Sequence, residues 1–257
     1  MIVTTSNRAN DQLILIAKEI ATELAGTYKR RNKQALEELK SVYLEDVLVV
    51  GKNRLELHSL LHNSPFFFHP NSAMFRIKRL IKGETEPFID ACNLKEGDSF
   101  LDCTLGLASD SIIASFIVGN SGFVRGIEGS GNLAYIVKKG LHQWSTGLTE
   151  LDEAMERIDV VEDDHLTHLV NCPDKSFDVV YFDPMFEETV DSIGLQPLKN
   201  IAKYSSLSDE AITEAKRVAR NRIILKDHFK SDRFNKHGFS IIKRKSAKFH
   251  YGVIEIQ

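Results

Sequence analysis

From residue 88 to residue 257 the chain repeats one pattern, a short run rich in β-branched and aromatic residues followed by a turn and a stretch of helical periodicity. The runs read as strands are DSFLDCT (98–104), GFVRGIEG (122–129), RIDVVED (157–163), FDVVYFD (177–183), NRIILKD (221–227), FSIIKRK (239–245) and YGVIEIQ (251–257). Several are almost continuously apolar, as strands covered by helices on both faces must be. Helical patterns fill the gaps at 109–118, 131–142, 150–156 and 209–220. The last follows Ser206-Leu207-Ser208-Asp209, aligns Ile212, Ala215, Val218 and Ala219, and carries acids early and Lys216, Arg217 and Arg220 late, in keeping with the helix dipole. The first five strands alternate with crossovers and so run parallel. The connection between the last two is too short for a crossover helix, which makes that pair antiparallel. The expected fold is α/β: a doubly wound seven-stranded sheet, parallel except for one antiparallel strand near the C-terminus.

Residues 1–83 follow a different pattern: a strand at MIVTT, a helix over about 10–25, a basic KRRNK turn, and a strand pair in VYLEDVLVVGKNRLELH turning at Gly51-Lys52-Asn53. They read as an N-terminal α+β extension, a candidate substrate-binding unit, appended to a main domain over 84–257. Charge follows the same division. The net charge of −3 resolves into +5 over 1–83, −16 over 84–198 and +8 over 199–257, so basic flanks surround an acidic middle. Such flanks suit a polyanionic partner, while solvated helix faces are the plainer explanation of the same counts. No apolar run reaches the length of a membrane span, and MIVTTSNRAND lacks the pattern of a signal peptide, so the cytoplasm is expected. Cys92, Cys103 and Cys172 are odd in number and widely spaced, which points to reduced thiols and to neither a disulfide framework nor a zinc ribbon.

A parallel sheet closed by an antiparallel hairpin is the pattern of class I S-adenosylmethionine-dependent methyltransferases, and the strand ends carry residues suited to that cofactor. In the first strand-to-helix turn, LDCTLGLASDS, Asp102 ends the strand where open α/β sheets bind ligands and is a candidate for the cofactor's amino group, above a turn formed by Thr104 and Gly106. One glycine is too few for a pyrophosphate cradle, which disfavours a dinucleotide. Glu128 ends the second strand and can accept both ribose hydroxyls. Asp164 and His165 end the third, where an acid would face an adenine amino group. Asp163, Asp164, His165 and His168 also admit a metal-binding reading, but no third histidine or catalytic glutamate pattern accompanies them, and no metal is expected.

The fourth strand ends in Asp183-Pro184-Met185-Phe186. An exocyclic base amine is a poor nucleophile because its lone pair is delocalised into the ring. Two acceptors holding its N–H groups, the Asp183 carboxylate and the Pro184 carbonyl, would turn it towards tetrahedral geometry. Proline fixes φ and helps aim that carbonyl, and Phe186 would stack on the base. An ordinary strand-ending turn is the alternative.

These segments resemble the small-subunit ribosomal RNA guanine-N2 methyltransferases of the J type. LDCTLGLASDS is similar to that family's first-strand turn, YFDPMF shares its tetrapeptide, RIILK matches its fifth strand and places Lys226 at the strand end, and LVVGKNRLELH echoes a hairpin before its core. The resemblance implies an N-methyltransferase using S-adenosylmethionine on guanine N2 in ribosomal RNA or a small ribosomal subunit. It also implies cofactor contacts at Asp110, Glu128 and Asp183. Ser109 and Gly129 stand where the family has arginines, Asp164-His165 replace a pair of serines, and Ala108 replaces a glycine.

Arg76, Lys78 and Arg79 alternate with apolar residues and are candidates for phosphate contact, as is Lys226 for the substrate. PFFFHP reads as core more readily than as a stacking site, and His58 and His62 as surface residues. Two other function classes remain open on sequence: a small-molecule methyltransferase, and a non-catalytic RNA-binding protein that kept the fold.

Overall fold

The computed structural model describes residues 1–61, 64–184, 207–245 and 247–257. Residues 185–206 lie outside that set, and with them Met185 and Phe186 of the DPMF segment; His62 does too. Along the chain run β1 (Ile2–Thr5), α1 (Asp11–Glu23), β2 (Thr27–Tyr28), α2 (Leu36–Tyr43), β3 (Val47–Val50), β4 (Leu55–His58), α3 (Asn71–Ile81) and α4 (Pro87–Cys92). The larger unit then follows as β5 (Ser99–Asp102), α5 (Ser109–Val118), β6 (Phe123–Glu128), α6 (Gly131–Gln143), α7 (Thr149–Glu156), β7 (Ile158–Glu162), α8 (His165–Asn171), β8 (Phe177–Phe182), α9 (Asp209–Val218), β9 (Ala219–His228), α10 (Arg233–His237), β10 (Ser240–Ile242) and β11 (Phe249–Glu255).

The seven expected strands pair in the order β10-β11-β9-β8-β5-β6-β7. Strands β5 to β9 are mutually parallel, and β11 lies antiparallel to both β9 and β10. The apolar runs work on both faces. Phe100, Val179, Tyr181 and Ile224 join one core with α5, α6 and α7, while their neighbours Leu101, Val180, Phe182, Ile223 and Leu225 join a second core with α8, α9 and α10. Alternate side chains thus point to opposite, equally dry layers.

A four-stranded sheet, β2-β1-β3-β4, forms the N-terminal unit. Its core residues Val3, Leu48, Val50 and Leu57 share one apolar cluster with the α5–α6 face of the large sheet. Phe68 is the key piece: its ring fills the space over Gly140 of α6 that a Cβ there would occupy. Phe66 and Phe68 are buried, so PFFFHP is core as expected.

Three local readings are corrected. Val42 and Tyr43 end helix α2 instead of opening a strand, because Leu39 and the stem of Lys40 give that segment a buried helical face and Leu44 caps it in the left-handed region at φ 52°. Helix α9 stops at Val218, since Ala219 already pairs with Phe177 in the parallel ladder. His58 is 14% exposed at its side chain and lies beside Glu56, so it is half-buried, not a surface residue.

Candidate active site

Chain order reverses between β5 and β8, which opens a crevice at their carboxyl ends, where open α/β sheets bind ligands. Asp102 and Glu128 end β5 and β6, Asp163-Asp164 and Asp183 follow β7 and β8, and Lys226 lies among the last residues of β9. The site divides into two halves that meet at Thr104.

The first half is built from the β5–α5 turn and the end of β6. Asp102 is 2% exposed. Its Oδ1 accepts the Thr104 N–H at 3.0 Å and the Thr104 hydroxyl at 3.3 Å, and its Oδ2 accepts the Ser111 hydroxyl at 2.6 Å. Burial pushes its carboxyl up to about 7 against those hydrogen bonds, with Asp110 and Asp183 adding to the rise. The turn advances through Gly106 at φ 50° and Ala108 at φ 60°. The second of these is a left-handed conformation that an L-residue holds at a cost of about 1–2 kcal/mol. Glu128, fully buried, accepts the Gly106 N–H at 3.2 Å and the Ser130 N–H at 3.0 Å, which ties the turn to β6. At the next strand end Asp164 caps α8 through the Leu166 and Thr167 N–H groups. His165 is buried edge-on against Phe182, and burial holds its imidazole below the ordinary value. Ser109 and Gly129 flank the turn, both partly exposed.

The second half is a chain of charges. Lys226 Nζ lies 2.6 Å from Asp183 Oδ2 and 2.9 Å from Asp110 Oδ2. Arg76 reaches from α3 to Asp110 Oδ1 at 2.6 Å and to Glu86 at 2.9 Å, and the Tyr181 hydroxyl donates to Asp110 at 2.7 Å. Burial alone would raise Asp110, but Lys226 and Arg76 outweigh it and hold the carboxyl well below the usual carboxylate range. Burial would likewise lower Lys226, yet Asp110 and Asp183 keep it firmly protonated. Asp183 itself is pushed up by burial to about 6, against the pull of Lys226 and with a further push from Asp110. Its backbone N–H donates to Thr104 Oγ1 at 2.6 Å, joining the two halves.

Asp183 Oδ2 is taken by Lys226, while Oδ1 has no protein donor among the described residues. The Pro184 carbonyl likewise accepts no backbone hydrogen bond there. Arg76 and Lys226, expected at the substrate, have their charges engaged by Asp110, Glu86 and Asp183. Arg79 is exposed beside Glu84 and Lys78 is exposed. Asp110, expected at the cofactor, sits inside the charge chain. The sequence alone does not single out Ser111, Glu86 or Tyr181. Tyr181 carries a signal, since it lies two residues before Asp183 and so shares its face of the strand. Among the described residues no group of three or more His, Cys, Asp or Glu side chains is placed to hold a metal.

The strand order and the acid-lined switch point define a Rossmann-like methyltransferase. The family described as "Putative SAM-dependent methyltransferase" matches residues 31–251, and the chain belongs to it. It is 52% identical over 254 residues, 98% of each chain, to "Uncharacterized protein YpiP" of Bacillus subtilis. A more distant likeness, 25% identical over 188 residues, 70% of this chain and 74% of the relative, is to the ribosomal RNA small subunit methyltransferase J of Buchnera aphidicola. Among solved structures, the SAM-dependent methyltransferase NGO1261 of Neisseria gonorrhoeae superposes with a TM-score of 0.65 at 14% identity, covering 99% of this chain and 96% of that one. That last likeness concerns the fold. The protein is thus an S-adenosylmethionine-dependent methyltransferase. Its donor set fits the cofactor: carboxylates at successive strand ends suit an amine and hydroxyls, and the turn with its single glycine offers no cradle for a pyrophosphate.

Proposed function

We propose that the protein methylates an exocyclic amine of a base in RNA, guanine N2 in small-subunit ribosomal RNA, and that it does so in the cytoplasm. The observation that carries this is the state of Asp183: one carboxylate oxygen is anchored by Lys226 and the other has no protein donor among the described residues, beside the carbonyl of Pro184. Two acceptors at one strand end match the two N–H groups of an amine. The relation to a ribosomal RNA methyltransferase and the basic terminal segments support an RNA substrate.

In this reading Glu128 holds the ribose hydroxyls of the cofactor, and Asp164 with His165 borders the adenine. Asp102, with Thr104 and Gly106, shapes the turn beneath the amino-acid end, and Ser109 and Gly129 line the approach. When bound, S-adenosylmethionine would supply the electrophilic methyl group, carried on a sulfonium whose leaving form is a neutral thioether. Asp183 and Pro184 orient the amine lone pair, and Asp183 takes the proton the nitrogen loses. Lys226 keeps Asp183 fixed and ionised, and Arg76 braces Lys226 through Asp110. Phe186, outside the described residues, is the proposed ring platform. Residues 1–83 act as the substrate-binding extension, with Lys78 and Arg79 on phosphates and Arg76 as the brace that links α3 to the centre.

The test is methyl transfer from labelled S-adenosylmethionine to small-subunit ribosomal RNA. Transfer that weakens steeply with added salt and yields N2-methylguanosine is expected. Transfer to small neutral amines with no dependence on salt would favour a small-molecule methyltransferase. Binding of RNA with no affinity for the cofactor would favour a non-catalytic RNA-binding role.

A further inference from the structure

The outer end of β9 and the β10–β11 hairpin carry a group of aromatic and cationic side chains that the catalytic centre does not use. Phe229, the residue after β9, is 46% exposed. Its ring lies 4.6 Å from that of His228 and 6.1 Å from that of His250, measured between centroids, and the Lys230 ammonium sits 5.6 Å from its centre. A backbone hydrogen bond from Phe229 N–H to the Lys248 carbonyl, 3.1 Å, holds it beside β11. On β11 the half-buried Phe249 ring takes the Arg244 guanidinium at 4.4 Å and the Lys226 ammonium at 5.1 Å. Lys226 is the same residue that grips Asp183, so this surface is continuous with the catalytic centre.

Among the described residues the charge here is mostly positive. Lys230, Lys243, Lys245 and Lys248 are exposed and have no ion-pair partner among the described residues. Asp232 and Asp227 are the only acids between 227 and 250, and Asp227 is buried against Arg233 at 3.2 Å. A single exposed phenylalanine is ordinary on a protein surface, so what it can bind is decided by its surroundings. Here its surroundings are cationic and aromatic, which fits bases and phosphates and does not fit an apolar partner.

We infer that this face, Phe229 with His228 and His250 ringed by Lys230, Arg244 and Lys248, binds the unpaired RNA strand flanking the methylated base. A neighbouring base stacks on Phe229 and the phosphates lie on the lysines. The inference rests on the RNA reading above and adds its location. A target amine reaches Asp183 only from an unpaired or flipped nucleotide, so a single-strand surface beside the centre is what the chemistry needs.

The experiment measures anisotropy of a labelled single-stranded oligoribonucleotide of mixed sequence across a salt series, with binding of S-adenosylmethionine followed by calorimetry in parallel. Phe229→Ala is expected to weaken binding by about 5- to 150-fold, the contribution of one stacked base, with the salt slope unchanged. The combined Lys243→Ala, Lys245→Ala and Lys248→Ala variant is expected to flatten the slope by about 0.7 for each phosphate that is no longer neutralised. Phe229→Trp restores affinity, and all variants bind the cofactor as the parent does. If the parent binds the strand and both variants match it, the surface is wrong while the RNA reading stands. Equal affinity for a duplex would also overturn it. If the parent binds cofactor but no oligonucleotide, the RNA reading falls and the surface falls with it.

Discussion

Asp102 and Asp110 are both buried, lie eight residues apart on either side of one turn, and are stabilised in opposite ways. Asp102 is surrounded by hydroxyls and a backbone N–H, and burial raises its carboxyl to about 7. Asp110 has a guanidinium, an ammonium and a phenol, and is held far below the ordinary range. The proposed cofactor half is therefore a stiff turn knit by hydrogen bonds from hydroxyls and backbone N–H groups, whereas the proposed acceptor half is a network of ion pairs, or truss, around Asp183. Under the proposed mechanism the first needs geometry, to shape itself to a ligand, and the second needs a controlled charge, to take a proton.

Removing the ammonium is the severest way to break the truss. Lys226→Met leaves the buried Asp110 and the partly exposed Asp183 without the cation they share, and is expected to cost about 3–5 kcal/mol of stability, read as a shift of the denaturant midpoint. Asp183→Asn spares the fold but loses the anionic acceptor, and is expected to reduce kcat by about 10²–10³-fold with cofactor affinity unchanged. A fall in cofactor affinity of the same size would place Asp183 in the cofactor half instead.

The two acids also separate by pH. Activity is expected to rise with pH through about 6 as Asp183 ionises, and that limb disappears in Asp183→Asn. Asp102 has a folded-state value raised from 3.8 to about 7, so between those values the folded chain holds a proton that the unfolded chain has lost. Stability due to this group therefore falls as pH rises across that window and is level above it. Asp102→Asn removes the slope, so its melting temperature relative to the parent should climb from pH 4 to pH 7. A constant difference would show that Asp102 is ionised throughout. The smallest effect belongs to the turn itself: Ala108→Gly relieves a left-handed residue at φ 60° and should stabilise the chain by about 1 kcal/mol at most.

The same contrast sets what can be read from sequence. The cofactor turn is contiguous, so Asp102, Thr104 and Gly106 are visible as a motif, and so is Asp183-Pro184 at its strand end. The central strands are visible because they must be apolar on both faces, and the edge strand β10, mostly exposed, shows only by its isoleucine pair. The truss is not. Arg76 and Lys226 stand 34 and 116 residues from Asp110, and an arginine on an amphipathic helix looks the same whether it faces phosphate or a buried acid. Helix α2 is hidden for a similar reason, because Val42, Tyr43 and Leu44 carry on into the apolar run of β3 with only Glu45-Asp46 between them, and only Leu39 and Lys40 turn inward.

The amine clamp is tested most directly by nucleoside mass spectrometry of small-subunit ribosomal RNA from cells lacking the gene, complemented with the parent chain or with Asp183→Asn. The expected result is loss of N2-methylguanosine without the gene, recovery with the parent, and no recovery with Asp183→Asn although that protein folds and binds S-adenosylmethionine. An unchanged N2-methylguanosine level without the gene, or full recovery with Asp183→Asn, would contradict it.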